Sequence, residues 1–182
     1  MRRKTSDPAP TTGSLPRPVV SIRNDTIKHH LEDMAKHYNY WLYGFVNRHG
    51  MPFGKCMPLP KGRNPGREQQ CFFNAFCMTI SSPSLTYVEG FARLVLAKDL
   101  DCIEHHAWVA DERGRVFDPT WTGKLKGAEY FGIPLQSSYV EQTLFLVDPT
   151  CQSILEKQAD DKLLIQQCNP RKWKRTMKMS AP

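Results

Sequence analysis

Three side chains of this 182-residue chain would together form a nucleophile, a base and an orienting acid: Cys71, His106 and Asp118. Cys71 stands near the start of a segment with a helical pattern, directly after a loop rich in glycine and proline. The free amide groups and the dipole at a helix N-terminus favour an anion, so we expect them to lower the pKa of the thiol and to hold an oxyanion. These features predict a nucleophilic cysteine.

Residues 104–121, EHHAWVADERGRVFDPTW, predict a β-hairpin with Asp-Glu-Arg-Gly as its turn and glycine where positive φ is needed. With the turn near residues 112–114, His106 and Asp118 fall roughly opposite one another, about one cross-strand spacing apart. The carboxylate would then fix the tautomer and orientation of the imidazole. The imidazole would in turn take the proton of Cys71.

Four short motifs surround these residues in a fixed order: Gln70-Cys71-Phe72, Val88-Glu89-Gly90-Phe91, His106-Ala107-Trp108-Val109 and Asp118-Pro119-Thr120-Trp121. In this order and with these gaps they resemble the transglutaminase-like superfamily of papain-fold cysteine enzymes, and within it small bacterial and phage proteins. The resemblance covers residues 67–121. It implies an α+β fold with a papain-like core, in which the helix that bears the cysteine packs on an antiparallel sheet and the C-terminal part is helical.

The resemblance also implies roles for the residues. Cys71 would be the nucleophile, His106 the general base and acid, and Asp118 the orienting carboxylate. The implied chemistry is hydrolysis, deamidation or acyl transfer at an amide or ester carbonyl of a protein or peptide, with no cofactor and no metal. Phe72 stands where the family commonly has tryptophan, and Glu68-Gln69 where glycine is common, so the substrate class stays open.

Five further residues are candidates for oxyanion or substrate binding: Gln70, Phe72, Asn74, Glu89 and Trp121. Gln70 would assist the backbone amides near the cysteine. Asn74 lies one helical turn after the cysteine, so it either faces the cleft or bonds the backbone internally. Glu89 and Trp121 flank the predicted site and either shape substrate access or support the fold.

The two central side chains and the neighbouring histidine also have ordinary structural explanations. Cys71 can be a small hydrophobic residue packed in a helix, and Asp118 can cap the turn that follows it. His105 alternates with His106 along a strand, and we expect its side chain to be exposed. A zinc site built from Cys71, Cys102, His105 and His106 is disfavoured, because these residues offer no compact ligand pair of the usual spacing.

The pattern along the chain predicts the elements that position these residues. Helices are predicted from residue 24, with Ile27, Leu31 and Met34 as the apolar stripe, over residues 67–82, and over residues 137–167 with Leu155 inward. Strands are predicted at residues 39–46, 87–97, 106–110, 115–121 and 129–135. Residues 47–66 are predicted to be one long, functional loop. This order of elements is typical of an α+β domain.

Charge divides the chain into three parts. Residues 1–23 carry a balance of +4 and residues 169–182 a balance of +5, whereas residues 24–168 carry −2. We therefore predict one catalytic domain at residues 24–168 between two basic tails, the first of them disordered because it is proline-rich and weakly hydrophobic. Such tails either bind nucleic acid or anionic surfaces weakly, or serve only as solubilising ends.

The six cysteines include no Cys-x-x-Cys pair, and the N-terminus lacks the apolar stretch of a secretory signal. No apolar run is long enough to span a bilayer. These features predict a cytoplasmic protein with free thiols and no membrane span. The oligomeric state and the physiological substrate stay open.

Three functions from different classes are consistent with the sequence. The leading one is a cysteine hydrolase or acyltransferase that acts on a protein or peptide. The second is a non-catalytic binding or inhibitor protein, of phage or bacterial origin, that retains the fold and grips a host component. The third is a nucleic-acid-associated protein that acts through its basic tails.

Overall fold

The computed structural model describes residues 27–97, 100–122, 127–145 and 153–157. The two predicted tails, and the ends of the predicted domain at residues 24–26 and 158–168, lie outside the described residues. Within these ranges the helices are α1 (Ile27–His37), α2 (Trp41–His49), α3 (Cys71–Ser81), α4 (Ser137–Phe145) and α5 (Ile154–Lys157). The strands are β1 (Met51–Phe53), β2 (Cys56–Met57), β3 (Thr86–Ala97), β4 (Leu100–Ala110), β5 (Val116–Phe117) and β6 (Glu129–Pro134).

The six strands form one curled sheet in the order β1-β6-β3-β4-β5-β2, antiparallel except for the β2–β5 pair. The two end strands, β1 and β2, are consecutive in the chain and separated only by Gly54 and Lys55. A link of two residues spans only about 10 Å. The sheet must therefore curl until its two ends approach each other. The amide of Gly54 donates to the carbonyl of Gly114, which fastens the link to the turn between β4 and β5. The predicted α+β class is confirmed at this level.

Two clusters of buried side chains lie on the two faces of the sheet. Helices α1, α2 and α3 cover one face, and their side chains pack with Tyr87, Phe91 and Val109 of β3 and β4. The opposite face holds Val88, Trp108 and Tyr130, which pack together with groups from both end strands. Because no described helix covers this second cluster, it is buried by the curl of the sheet itself. We call the two faces the helix face and the inner face.

The strand predicted at residues 39–46 is wrong, because this segment forms helix α2. Its buried residues are Leu42, Phe45 and Val46, which recur at helical spacing and pack under the sheet. The aromatic residues that suggested a strand do not alternate between two faces. Tyr43 instead stacks on Phe91 of β3 at a ring distance of 5.2 Å. Packing of the helix against the sheet thus outweighs the strand propensity of aromatic residues.

The single loop predicted at residues 47–66 is also wrong, because strands β1 and β2 lie within it. β1 pairs with β6 although its middle residue is Pro52. Proline lacks an amide hydrogen and is tolerated in a strand at the end of a sheet, where one side needs no hydrogen-bonded neighbour. Strands this short are hard to detect from periodicity.

The hairpin predicted after His106 is confirmed, but its two strands are unequal. Asp111 begins the turn, where its carboxylate accepts hydrogen bonds from the amides of Arg113 and Arg115, and Gly114 has φ of 73°. β4 begins at Leu100, earlier than predicted, whereas β5 ends at Phe117 instead of continuing to residue 121. The second strand stops because Asp118 starts a new turn, as described below.

Helix α5 is anchored to the sheet by a completely buried carboxylate, that of Glu89 on β3. It accepts hydrogen bonds from the hydroxyl of Ser153 and from the amides of Ile154 and Leu155. The hydroxyl of Tyr87 donates a further bond at 3.1 Å. With the imidazole of His105 included, five backbone and side-chain groups contact this carboxylate. It therefore holds β3, β4 and α5 together on the helix face.

The expectation that His105 is exposed is wrong. Its Nε2 lies 3.0 Å from Glu89 Oε1 and its Nδ1 lies 3.5 Å from Glu156 Oε1. Burial alone would lower the pKa of His105, but the contacts with these two carboxylates outweigh it and raise the pKa to about 9. His105 is therefore an imidazolium at neutral pH that links β4 to β3 and α5.

We predict that this imidazolium makes the fold less stable as the pH rises. The pKa of His105 is raised above the ordinary value of 6.5, so its contribution is complete below about pH 6.5 and is lost as the pH rises through 9. Between pH 6 and pH 8.5 the free energy of unfolding should fall by about 2 kcal/mol from this group. Urea unfolding at the two pH values measures the fall.

The control for this prediction is Glu156→Gln, which removes one of the two carboxylates and leaves Glu89 in place. The pKa of His105 should then rise less, so the variant should lose less stability over the same pH range. An equal fall in the variant and the natural protein would contradict the assignment to His105.

Candidate active site

Cys71 is the first residue of helix α3, and its side chain is only 9% exposed. Gln70 occupies the position before it and makes no side-chain hydrogen bond to the helix end. Gln69 has φ of 61°, in the left-handed region that residues other than glycine rarely adopt. The chain therefore turns sharply just before the cysteine, in a backbone conformation with a cost of about 1 kcal/mol.

Asn74 holds this turn in place. Its carboxamide accepts a hydrogen bond from the amide of Arg67 and donates to the carbonyl of the same residue, at 3.2 and 2.7 Å. It also donates to the hydroxyl of Thr120 at 3.0 Å. The amide of Gly66 donates to the carbonyl of Pro119, and a Cβ at Gly66 would collide with the Asn74 side chain. Of the two roles considered for Asn74, the structure shows the internal one: it joins the loop, the helix and the turn after β5.

The sulfur of Cys71 lies at the open edge of strand β4. The carbonyl of Tyr87 on β3 points towards β6, where it accepts a hydrogen bond from the amide of Leu135. Peptide groups two residues apart in a strand point to the same side, so those of Glu89 also face β6 and not β4. Ala107 of β4 lies directly opposite Glu89. Opposite residues of an antiparallel pair either bond each other or both point outward, so the amide of Ala107 points away from β3. Strand β5 reaches only Val109 on this side. The Ala107 amide is therefore free to face the thiol sulfur, and its dipole opposes the rise in the pKa of Cys71.

His106 and Asp118 form a buried pair on the inner face. His106 Nε2 lies 2.9 Å from Asp118 Oδ2, and the two residues are 2% and 1% exposed. The indole of Trp121 stacks on the imidazole with a ring distance of 3.6 Å and an interplanar angle of 6°. The pairing predicted from the hairpin is thus present.

The predicted register of this pair is wrong by two residues. Phe117 lies opposite Val109, so the position opposite Asp118 is that of Trp108. His106 and Asp118 are diagonal neighbours on one face, a separation that long side chains can bridge. The turn itself lies where it was predicted, since residues 111–115 and residues 112–114 are both centred on residue 113, and a turn centred there places Asp118 opposite Trp108 instead of His106.

The carboxylate of Asp118 both starts a turn and holds the histidine. Its Oδ1 accepts hydrogen bonds from the amides of Thr120 and Trp121, at 2.8 and 2.9 Å. Its Oδ2 accepts one from His106 and another from the hydroxyl of Tyr130, at 3.0 Å. Asp118 therefore has both of the roles that the sequence left open: its Oδ1 caps the turn and its Oδ2 orients His106.

These hydrogen bonds keep Asp118 ionised. Burial would raise the pKa of this carboxyl, but the contacts with His106 and the amides of Trp121 and Thr120 outweigh burial and hold the pKa below its usual value. An ionised carboxylate only accepts hydrogen bonds, so the proton between the two side chains belongs to Nε2 of His106. In its neutral form the imidazole then has its lone pair on Nδ1, the nitrogen that a general base would use.

The thiol of Cys71 is not the low-pKa group that its place at a helix N-terminus suggested. Burial, with a smaller contribution from the nearby carboxylate of Glu89, raises the pKa of this thiol to about 12. The amides of Ala107 and Phe72 point at the sulfur and oppose the rise. The expectation of a lowered pKa is wrong because loss of solvent outweighs the amide dipoles. At neutral pH the group is a thiol.

Phe72 and Glu89 lie on the helix face, away from the His106–Asp118 pair. The ring of Phe72 packs edge-on against His105 at 5.2 Å. Both oxygens of Glu89 are bonded to groups of the chain itself. In this structure these two residues support the sheet beneath the cysteine, whereas Trp121 lies directly over the imidazole.

Tyr130 and Cys56 belong to the site but were not singled out from the sequence as site residues. Tyr130 is 3% exposed, and its hydroxyl contacts both Asp118 and the thiol of Cys56. Burial raises the pKa of both groups, and the charge of Asp118 raises them further. The sequence signal was the aromatic stretch Tyr130-Phe131-Gly132, which could form the wall of a cleft but has core packing as its default explanation, and which does not identify a neighbour for Tyr130.

No protein-family model, no curated protein and no solved structure matches this chain. The resemblance to papain-fold cysteine enzymes therefore rests on the sequence motifs of the chain.

Two further features of the described ranges concern metal binding and membrane crossing. No group of three or more histidine, cysteine, aspartate or glutamate side chains is placed to hold a metal ion there. In the same part of the chain, no helix has the length and apolar character needed to cross a bilayer. The four cysteines it contains, Cys56, Cys71, Cys77 and Cys102, are all free thiols.

We predict that two adjacent histidines differ in the protons that they hold. In imidazole ¹⁵N NMR spectra at pH 7.5, His105 should have both nitrogens protonated, because its pKa is raised to about 9. The neutral form of His106 should have its proton on Nε2 alone, because Asp118 accepts that hydrogen bond. Asp118→Asn should allow both tautomers of His106 and leave His105 unchanged. A predominant Nδ1–H form of His106 in the natural protein would contradict the assigned geometry.

Proposed function

We propose that this protein carries out thiol-dependent acyl chemistry at an amide or ester carbonyl of a protein or peptide. Cys71 is the nucleophile, His106 the general base and acid, and Asp118 the orienting carboxylate. The observation that supports the proposal is the peptide between His106 and Ala107: its amide acts on the thiol of Cys71, and the imidazole next to it is held by a buried carboxylate.

The reaction begins with transfer of the thiol proton to Nδ1 of His106 while the sulfur attacks the carbonyl carbon. The imidazolium that forms is stabilised by Asp118, which is ionised and bound to Nε2. Backbone amides around Cys71, assisted by Gln70, hold the oxyanion. His106 then gives its proton to the leaving group, which departs and leaves a thioester on Cys71. Water or an amine next attacks the thioester, with His106 again as the base, and the outcome is hydrolysis, deamidation or transfer.

The raised pKa of Cys71 determines the order of these events. A thiol with a pKa of about 12 is not ionised in the resting enzyme, so the proton must leave during the attack. Cys71, His106 and Asp118 are all buried, so the resting site is closed. Trp121, half-buried over the imidazole, is the group that must move to admit substrate.

A papain-like core is the finer fold that we propose. Its support is the packing of α3, with the cysteine as its first residue, on antiparallel strands β3 and β4. A cytoplasmic location, where thiols stay reduced, fits the free cysteines of the described ranges.

A second candidate is a non-catalytic binding protein with the same frame. The observations that favour it are the buried, un-ionised thiol and the imidazole covered by Trp121. In that protein the residues around Asp118 would serve only to hold strands β4, β5 and β6 together. The nucleic-acid alternative depends on the two basic tails, which lie outside the described residues.

The test of the proposal is acylation by p-nitrophenyl acetate, an activated ester that needs no specific binding. The natural protein should release p-nitrophenol in a burst and gain one acetyl group, found on Cys71 by mass spectrometry of its peptides. Cys71→Ala should lose both signals. His106→Ala should slow the burst by about 100-fold or more, the usual contribution of a general base.

The matched control is Cys77→Ala, which removes an exposed thiol from the same helix. This variant should acylate at the rate of the natural protein. An acetyl group found mainly on Cys77, or a burst that survives in His106→Ala, would favour the binding protein over the enzyme.

A further inference from the structure

A groove of about 970 Å³ opens next to the His106–Asp118 pair. It is lined by residues 52–58, which include parts of the end strands β1 and β2, and by residues 127–131, which include the start of β6, the neighbour of β1 in the sheet. Side chains such as Phe53, Met57 and Tyr130 make it largely apolar. A pocket of this size and character is typical of a ligand site.

The groove meets the candidate active site through two shared residues. Trp121 lines the groove and stacks on His106. Tyr130 lines it and donates a hydrogen bond to Asp118. A ligand in the groove would therefore contact the group that must move for substrate to reach the thiol.

The charges of the groove are unbalanced. Its charged lining residues are Lys28, Lys55 and Glu129. Glu129 is neutralised by Arg93, whose guanidinium lies 3.2 Å from its carboxylate. Among the described residues neither lysine has an ion-pair partner. The groove thus presents two exposed cations around an apolar floor, which suits an apolar ligand that also carries negative charge.

The backbone beside the groove favours an extended peptide. β1 and β2 are the two end strands of the sheet, and within the described residues each has a hydrogen-bonded neighbour on one side only. The other edge of such a strand offers amide and carbonyl groups to an added strand. In an extended peptide alternate side chains point to opposite sides, so apolar groups can enter the groove while acidic groups reach its rim.

We infer that the groove binds an extended peptide segment in which large apolar and acidic residues alternate. The inference rests on the proposed function, for which it names the substrate class: acidic, apolar peptide segments bind along β1 and β2, displace Trp121, and bring a neighbouring carbonyl to Cys71. Lys28 and Lys55 select for the acidic residues, and Phe53 and Tyr130 for the apolar ones.

The experiment measures binding without turnover, in the full-length Cys71→Ala variant. The probe is a blocked five-residue peptide of alternating glutamate and phenylalanine, titrated by calorimetry and by NMR. Shifts should concentrate at Phe53, Lys55 and Tyr130. The same peptide with glutamine in place of glutamate should bind about tenfold more weakly, as expected for the loss of two charge contacts at a protein surface.

Charge reversal at the groove provides the decisive variant. Lys28→Glu/Lys55→Glu should weaken binding of the glutamate peptide by tenfold or more, and should improve binding of a lysine–phenylalanine peptide. The matched control is Lys174→Glu/Arg175→Glu, which makes the same change in net charge in the basic C-terminal tail. This variant should leave the affinity unchanged.

The outcomes separate this inference from the proposed function. Equal affinity for the glutamate and glutamine peptides, or a loss of binding only in the tail variant, would overturn the inference even if Cys71 acylates as proposed. Binding that depends on Lys28 and Lys55 would support the inference even if p-nitrophenyl acetate failed to acylate Cys71. In that case only the catalytic proposal would be lost.

Discussion

The carboxylate of Asp118 is the point where the inner face of the curled sheet is held together. Four donors converge on its two oxygens: the imidazole of His106 on β4, the hydroxyl of Tyr130 on β6 and the amides of Thr120 and Trp121 in the turn after β5. A buried carboxylate is costly to leave unpaired, so these elements must keep their relative positions for the charge to be satisfied. The orientation of His106 is thereby fixed by the fold, independently of any substrate.

The two adjacent histidines of β4 illustrate how alternation in a strand assigns different chemistry to neighbours. His106 points to the inner face, where one carboxylate fixes its proton and an indole covers its ring. His105 points to the helix face, where two carboxylates keep it charged and a buried glutamate joins it to α5. Between the two faces, at the open edge of the strand, the amide of Ala107 acts on the thiol of Cys71. The candidate site thus uses the edge of the sheet as well as its inner face.

Much of this arrangement follows from local sequence patterns, and the remainder depends on contacts distant in the chain. The helix that begins near Cys71, the Asp-Glu-Arg-Gly turn and the pairing of His106 with Asp118 were all predicted, because each depends on residues close in sequence. The proximity of Tyr130 was not, since it requires β6 to pair with β3 across the sheet. The buried state of Cys71, and hence its raised pKa, likewise depends on how α3 packs against β4. Helix α2 was mistaken for a strand because its aromatic residues are typical of strands.

The central claim is that Cys71 and His106 act as one unit at the edge of β4, and a double-mutant cycle tests it most directly. The rate of p-nitrophenyl acetate hydrolysis would be measured for the natural protein, Cys71→Ala, His106→Ala and the double variant. If the two residues act together, each single variant and the double variant should fall to the same residual rate. A double variant whose loss equals the product of the two single losses would show that thiol and imidazole act independently, and would contradict this account.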